Sequence, residues 1–265
     1  MPRIALGIEY DGSAFRGWQA QAEAHARGVQ SAVEAALTIV ADHPVEVIAA
    51  GRTDAGVHAS MQVVHFDTTA VRSERNWMLG MNSNLPSSVS VLWAREVPDT
   101  FHARFSAFTR SYRYCILNRV PRPALAGNRV CWVREQLNHE VMHVAAQHLV
   151  GEHDFTSFRA AECQARSPVR QLHYIEVERR DQMIVMSVTA NAFLQHMVRN
   201  IAGVLISVGL GERPPQWVKE VLALRDRKRG GVTAVPQGLY LAGVEYPEEL
   251  KLPSEAPMDG WTVVG

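Results

Sequence analysis

Apolar and polar positions along the chain repeat with two alternating periods. Ile4, Leu6, Ile8 and Tyr10 are spaced by two, the repeat of a strand with one buried face. Val29, Val33, Ala36, Leu37 and Val40 then recur at helical spacing. Apolar runs at positions 45–50 and 61–66 predict two strands. Positions 74–82 predict a helix with Trp77, Met78 and Met81 on one side, and 89–97 predicts a further strand. The order is β-α-β-β-α-β.

The pattern then recurs. Tyr112, Tyr114 and Ile116 alternate on a predicted strand, extended by a second at 129–134. Leu137, Val141, Val144, Ala145, His148 and Leu149 mark a helix. Positions 171–179 and 183–190 predict a hairpin around Asp181-Gln182. Asn191 is the expected N-cap of a helix running through Ile201 and Leu205. Pro214-Pro215 opens another helix over 217–224, and 239–246 is the last predicted strand. This is again β-α-β-β-α-β, with an added helix. Each half therefore has the pattern of a split βαβ, or ferredoxin-like, unit. The expected fold is α+β. Two such halves, residues 1–105 and 106–246, join edge to edge into one broad, mostly antiparallel sheet with helices on one face. The other face would form a central cleft. Positions 247–265, rich in proline at their start, read as a loosely packed tail.

Composition narrows the setting. The 265 residues are 47% hydrophobic and 20% charged, as in ordinary globular proteins, with room for two modest domains or one large one. No uninterrupted apolar stretch reaches membrane-spanning length, so no membrane association is expected. The opening Met1-Pro2-Arg3-Ile4 enters the strand pattern at once, and no signal peptide is expected. The three cysteines, Cys115, Cys131 and Cys163, are far apart and lack a CxxC spacing. They imply neither a disulfide framework nor a zinc site, and a reducing cytoplasm fits best.

The net charge is zero, which taken alone argues against a nucleic-acid partner. The distribution argues otherwise. Between Phe101 and Arg134 there is no Asp or Glu, yet there are seven arginines: Arg104, Arg110, Arg113, Arg119, Arg122, Arg129 and Arg134. Local asymmetry decides whether a binding face exists. Arginine forks match phosphate oxygens and stack on bases. A GC-rich coding bias accounts for the rarity of lysine, but not for an acid-free basic block.

The run at 51–59, Gly-Arg-Thr-Asp-Ala-Gly-Val-His-Ala, holds the chain's densest candidate chemistry. It lies between two predicted strands and sets Asp54 between two glycines, which permit a tight turn and close approach by another molecule. Loops on rigid scaffolds often carry chemistry. An Asp that only stabilises its own turn is the other reading of the same residues. As a chemical group, Asp54 can serve as base, nucleophile or metal ligand. A metal would need more partners: His58 is four residues on and His65 follows, but no second carboxylate lies in the loop. Arg52 sits close enough to screen the carboxylate or to grip a phosphate beside it, and a solvated loop arginine is the other reading of the same residue.

Phe101, His102, Ala103, Arg104 and Phe105, and then the run at 109–114, interleave basic and aromatic residues. That mixture suits nucleic acid, with cations on phosphates and rings on bases. Tyr112 and Tyr114 share one face of their strand, and Tyr114 is expected in the core. Arg199 interrupts an apolar helix face made of Met197, Val198, Ile201 and Ala202, where it either needs a partner, for which an Asp is the natural choice, or snorkels to the surface. Read by themselves, His25, His102, His143 and His148 fit surface or satisfied core positions.

These residues together resemble the tRNA pseudouridine synthase A family. The run at 51–59 is similar to that family's catalytic loop. Tyr10-Asp11-Gly12 and Gly17-Trp18-Gln19 resemble its opening strand and loop, and the run at 62–66 resembles the segment just after the catalytic loop. Phe101 to Phe105 resembles an RNA-contacting segment. Positions 154–159, then Glu162, Cys163, Gln164, Ala165 and Arg166, resemble the segment that assists base extrusion. The runs at 193–200 and 238–240 complete a likeness spanning residues 4 to about 246. The family's Ala-Pro-x-Gly-Leu reads Val-Pro-Gln-Gly-Leu at 235–239, a small departure.

The resemblance implies conversion of uridine to pseudouridine at positions 38, 39 and 40 of the tRNA anticodon stem-loop, with no cofactor and no metal. It makes Asp54 the nucleophile, at either uracil C6 or ribose C1′. It pairs Arg199 with Asp54, holding it ionised and oriented. It stacks Tyr112 on the target base, where it could also assist proton removal at C5, and packs Leu239 on the other side. It assigns Arg52 and Arg166 to base extrusion, and it implies a homodimer whose two subunits contact one tRNA. Two other readings are weighed. A methyltransferase using Cys163 would need an adenosylmethionine motif, and no glycine-rich strand-turn-helix of that kind occurs. A non-catalytic RNA-binding module would leave Asp54 and Arg199 without a role.

Overall fold

A computed structural model describes residues 1–19 and 28–253. Among them the chain forms ten strands and five α-helices in mixed α/β order, with mostly antiparallel pairing. It divides into two compact units. The first holds Met1–Phe108 and the described residues from Leu241 onward, and the second holds Thr109–Tyr240. Residues 106–108 and 241–246, expected in the second half, group with the first. Of the expected tail, 254–265 lies outside the described residues, as does His25.

The first unit runs β1 (Arg3–Tyr10), α1 (Val29–Ala41), β2 (Ile48–Ala49), β3 (His58–Asp67), α2 (Glu74–Asn84), β4 (Val89–Val97). Its strands are ordered β4-β1-β3-β2, all antiparallel neighbours. This is the split βαβ arrangement, with the hairpin's second strand between β1 and β2. Leu6, Ile8, Val33, Leu37, Phe66 and Trp77 are fully buried, and Phe66 meets Trp77 edge-on at 5.3 Å. Ser73 caps α2 by accepting from Asn76 N at 3.2 Å. The expected strand at 45–50 shrinks to two residues. The carboxylate of Glu34 on α1 takes the Val47 N–H at 3.1 Å, a donor that a strand would have offered to its ladder.

The second unit runs β5 (Thr109–Asn118), β6 (Cys131–Val133), α3 (His139–Ala146), β7 (Gly151–Asp154), β8 (Val169–Arg180), β9 (Met183–Ala190), α4 (Met197–Gly209), α5 (Trp217–Leu224). Strand β10 (Leu239–Glu245) begins here and carries the chain back into the first unit. The order β5-β9-β8 repeats β1-β3-β2, so the duplication seen as a pattern holds as topology. The short β6 adds a parallel pairing to β5, and β7 extends the far edge beside β8. From Tyr114 onward β5 is buried on both faces. Tyr114 and Ile116 lie on one face, while Cys115 and Leu117 on the other pack with Ala126, Val130 and Tyr240. The arginine-rich stretch after β5 thus covers the core with its small apolar residues and leaves Arg122 and Arg129 exposed.

Two local expectations need correction. Asn191 caps no helix. Its side chain accepts from Gln171 N at 3.1 Å and Ala192 N at 2.8 Å, and α4 begins at Met197 after His196 in a left-handed conformation, φ 63°. The helix expected at 137–149 is α3 followed by a tighter turn at Gln147–Leu149, started by Asn138, which accepts from Val141 N at 3.1 Å.

Buried Asn118 closes the end of β5. Its Nδ2 donates to Val133 O at 3.0 Å and Glu135 O at 2.7 Å, and its Oδ1 accepts from Leu137 N at 3.1 Å and Arg179 Nη2 at 2.8 Å. Asn118→Leu strands four partners at once. It should lower stability by about 3 kcal/mol or more in urea unfolding. A loss below ~1 kcal/mol would show that the strand ends are held by other contacts.

Candidate active site

Asp54 sits half-buried on a short link between the end of β2 and the start of β3. Almost every neighbour in that link is fixed. Gln62 on β3 donates from Nε2 to Gly51 O at 2.6 Å. Thr53 is held twice: its carbonyl accepts from Trp18 N at 3.0 Å, and its hydroxyl bonds the Tyr10 hydroxyl at 2.8 Å. Asp54 O accepts from Val57 N at 3.1 Å, closing a turn whose third residue, Gly56, has φ 76°, a region that favours glycine. Gly17 lies against the loop so closely that a Cβ there would stand 2.7 Å from Thr53 O.

These anchors come from elements with their own reasons to be rigid. Tyr10 ends β1, where the register against β3 shifts after Ile8, the kind of irregularity that re-aims a side chain beside a site. The first amides of α1 donate outward, Val29 N to Gly17 O at 3.1 Å and Gln30 N to Trp18 O at 2.9 Å. A helix start needs acceptors for its free donors, and here it finds them in the segment that grips Thr53. His58 is 2% exposed, and its Nδ1 accepts from Gly12 N at 3.0 Å. That fixes the imidazole proton on Nε2. Asp11 Oδ1 lies 3.3 Å from the same Nδ1, but it accepts from Ser13 N at 2.9 Å, and a nitrogen already accepting cannot donate an ion pair to it. The result is a half-buried carboxylate on a backbone with few ways to move, beside the exposed Arg52.

The segment from Phe101 to Phe105 belongs to the same unit. Phe101 and Ala103 are buried, His102 is half-buried, and Arg104 and Phe105 are exposed. Ala103 N donates to His65 Nδ1 at 3.1 Å, while Arg104 N and Phe105 N share His102 Nδ1, each at 3.2 Å. Arg3 donates to Phe101 O at 2.7 Å, and the Tyr246 hydroxyl to Ala103 O at 2.7 Å. Burial, with Arg3 and His102 nearby, lowers the His65 pKa to about 4.

The second unit carries the other expected residues. Half-buried Tyr112 lies on β5 with its ring edge-on to Phe193 at 4.9 Å. Tyr114 is a core residue, as expected. Its hydroxyl donates to Val235 O at 2.8 Å, and burial raises its pKa. Arg199, half-buried on α4, donates from Nε to Ala234 O at 2.9 Å. Its neighbour Asn200, 1% exposed, donates to Phe158 O at 2.6 Å and accepts from Thr233 Oγ1 at 2.6 Å and Arg227 Nη2 at 3.0 Å. One amide thereby ties α4 to the segments on either side of it. Leu239 is buried at the start of β10. Glu162, Gln164 and Arg166 lie on a loop with Cys163 and Ala165, where Cys163 N donates to Ala160 O at 3.2 Å. The three cysteines are free thiols, with burial pushing Cys115 up to about 12. Among the described residues no group of three or more His, Cys, Asp or Glu is placed to hold a metal ion, and no helix is long and apolar enough to cross a membrane.

Gln62, Tyr10, Thr53 and Asn200 were not singled out from the sequence as supports. The available signal was a buried-strand position filled by a polar residue, as with Gln62, whose side chain then needs partners.

The Asp54 link is thus a clamped acidic loop on one ferredoxin-like unit. The chain matches the family described as tRNA pseudouridine synthase over residues 7–106 and 145–247. It is 58% identical over 260 residues to the tRNA pseudouridine synthase A of Nitrosococcus oceani, covering 98% of this chain and 100% of that one. The protein of that name from Methylococcus capsulatus is 58% identical, with 96% and 93% covered, and that from Pseudomonas aeruginosa 58%, with 95% and 88% covered. The chain belongs to the tRNA pseudouridine synthase family, whose members are isomerases that convert uridine to pseudouridine.

His65 supplies a test of the geometry. Its pKa is depressed in the folded state, so its contribution is fully present above the unfolded value of about 6.5 and is lost as pH falls toward 4. Between about pH 7 and pH 5 the loss should be about 2 kcal/mol in urea unfolding. His65→Asn keeps an acceptor near Nδ1 without a titrating ring and should remove most of that slope. Equal slopes in both proteins would mean that His65 is not held neutral.

Proposed function

We propose that this protein isomerises uridine to pseudouridine at positions 38, 39 and 40 of the tRNA anticodon stem-loop, with Asp54 as nucleophile. The observation that carries the reading is the clamped Asp54 loop, in a chain related over nearly its whole length to synthases of this kind. Substrate and product are isomers, so the electron count does not change. The bond from N1 to C1′ breaks, a bond from C5 to C1′ forms, C5 loses a proton and N1 gains one. A rigid carboxylate suits this sequence, since it must attack, hold one fragment and then leave, at either uracil C6 or ribose C1′.

In this reading Arg199 orients the Asp54 carboxylate, Tyr112 stacks on the uracil and assists proton loss at C5, and Leu239 packs on the other side of the base. Stem uridines are stacked and out of reach, so the nucleotide must be extruded. Arg52 and Arg166 take part in that step. The segments 101–105 and 162–166 contact the RNA, with exposed Arg104 and Phe105 offering a cation and a ring. The protein works in the cytoplasm as a homodimer, two subunits sharing one tRNA.

The test uses unmodified tRNA transcripts labelled with tritium at uridine C5, incubated without metal or cofactor. About one equivalent of tritium should be released per uridine at positions 38–40. No release, or release only with adenosylmethionine present, would overturn the reading. Equal release from transcripts lacking uridine at those three positions would refute the assigned sites.

A further inference from the structure

The turn at Ala103–Phe105 is closed by Ser106, whose N–H donates to His102 O at 2.9 Å and whose hydroxyl accepts from His102 N at 3.0 Å, and its inner amides are held by imidazoles. Three successive amides, of Ala103, Arg104 and Phe105, donate to ring nitrogens of His65 and His102. An Nδ1 that accepts a hydrogen bond carries no proton, so both rings must be neutral to hold the turn. The rings also stack in series. His65 lies 4.9 Å from His102, and His102 lies 4.3 Å from Phe105 at 31° between planes. Phe105 remains 76% exposed, with the Arg104 guanidinium 5.6 Å from its centroid. The amides of the exposed cation and ring are both taken by the His102 ring nitrogen, inside a turn whose ends Ser106 closes.

We propose that His102, backed by His65, is a positioning residue for tRNA binding: its neutral Nδ1 holds Arg104 and Phe105 in their contacting conformation, and protonation at Nδ1 releases them. The proposal rests on the reading that the 101–105 segment contacts RNA.

The surroundings favour a neutral ring. From β1 comes the Arg3 cation, from β3 the His65 ring, from the turn itself Arg104, and from beyond β10 the Tyr246 hydroxyl on Ala103 O. The nearby carboxylates are Asp67 and Asp99. Asp67 is bound in two places by Arg3, at 2.7 and 2.8 Å, and Asp99 lies beside the same guanidinium, which donates to its backbone carbonyl. Partial burial, helped by Arg3 and Arg104, lowers the His102 pKa. The neutral clamp therefore persists at neutral pH and fails on acidification. Its sign is unusual. Protonating a histidine on an RNA-binding face ordinarily adds a cation and tightens binding, whereas protonating His102 should loosen it.

The experiment measures Kd for an unmodified tRNA transcript by fluorescence anisotropy, from about pH 8 to about pH 5.5. His102→Asn places an acceptor near Nδ1 that does not titrate, and His102→Phe keeps the ring stack without the acceptor. At about pH 8, the Asn variant should bind within roughly threefold of the parent, and the Phe variant roughly tenfold more weakly with an unchanged melting temperature. The ratio of parent Kd to His102→Asn Kd should rise at least about threefold as pH falls. A flat or falling ratio, or parent-like binding by His102→Phe, would overturn the proposal. If His102→Phe does not fold, the ratio alone decides. Arg104→Ala and Phe105→Ala separate the two levels. If both bind as the parent does, the segment does not contact RNA, and the proposal falls with that reading. If they weaken binding while the His102 variants leave it unchanged, only the clamp is refuted.

Discussion

A short loop between strands has no helix or ladder to hold it, and in the first unit other segments supply the hold for the link that carries Asp54. The Asp54 link is fixed by groups reaching out of other segments: Gln62 from β3 onto Gly51, the Tyr10 hydroxyl onto Thr53, and the amide of Trp18 onto the Thr53 carbonyl. The start of α1 reinforces this by donating its free amides to Gly17 and Trp18. A catalytic group works best when its neighbours cannot reorganise, because the reaction then need not supply that ordering. The β1 irregularity, the glycine at 17 and the polar residue buried at 62 all bear on this one link.

The same device recurs wherever irregular chain must be held. Asn118 gathers the segment after β6 and an arginine of β8, and Asn200 ties α4 to the 158 and 233 segments beside Arg199. His65 and His102 hold the turn at 103–105 through ring nitrogens. In each case a buried or half-buried side chain replaces the backbone partner that a helix or strand would have provided. Such groups must be fully satisfied, since an unpaired buried donor or acceptor is costly. That makes these few polar residues more decisive for the site than the larger apolar core beneath them.

Much of the fold was legible because it depends on periodicity. Strand β4 at Val89–Val97, helix α5 at Trp217–Leu224, the start of α2 at Glu74 and the hairpin around Asp181 lie where apolar spacing and turn residues put them. The candidate loop was legible too, since an acid between glycines and between strands is a local signal. What escaped was decided over long sequence separations. Residue 47 loses its place in a strand to Glu34, and Asn191 serves Gln171 rather than a helix. His102 was legible only as part of the 101–105 run and not as a support, because its two amide partners just downstream are brought to its ring only by the folded turn. The supports of Thr53, contributed by Tyr10 and Trp18, depend on the pairing of β1 with β3 and left no mark in local composition.

The central claim is that a rigid loop presents Asp54 as the reacting group while other residues bind the RNA. Its most direct test compares turnover and tRNA affinity in Asp54→Asn, which preserves size and loses the nucleophile. The account predicts a fall in kcat of roughly a thousandfold or more, with Kd for unmodified tRNA within about threefold of the parent. Retained turnover, or a loss of affinity that matches the loss of turnover, would contradict it.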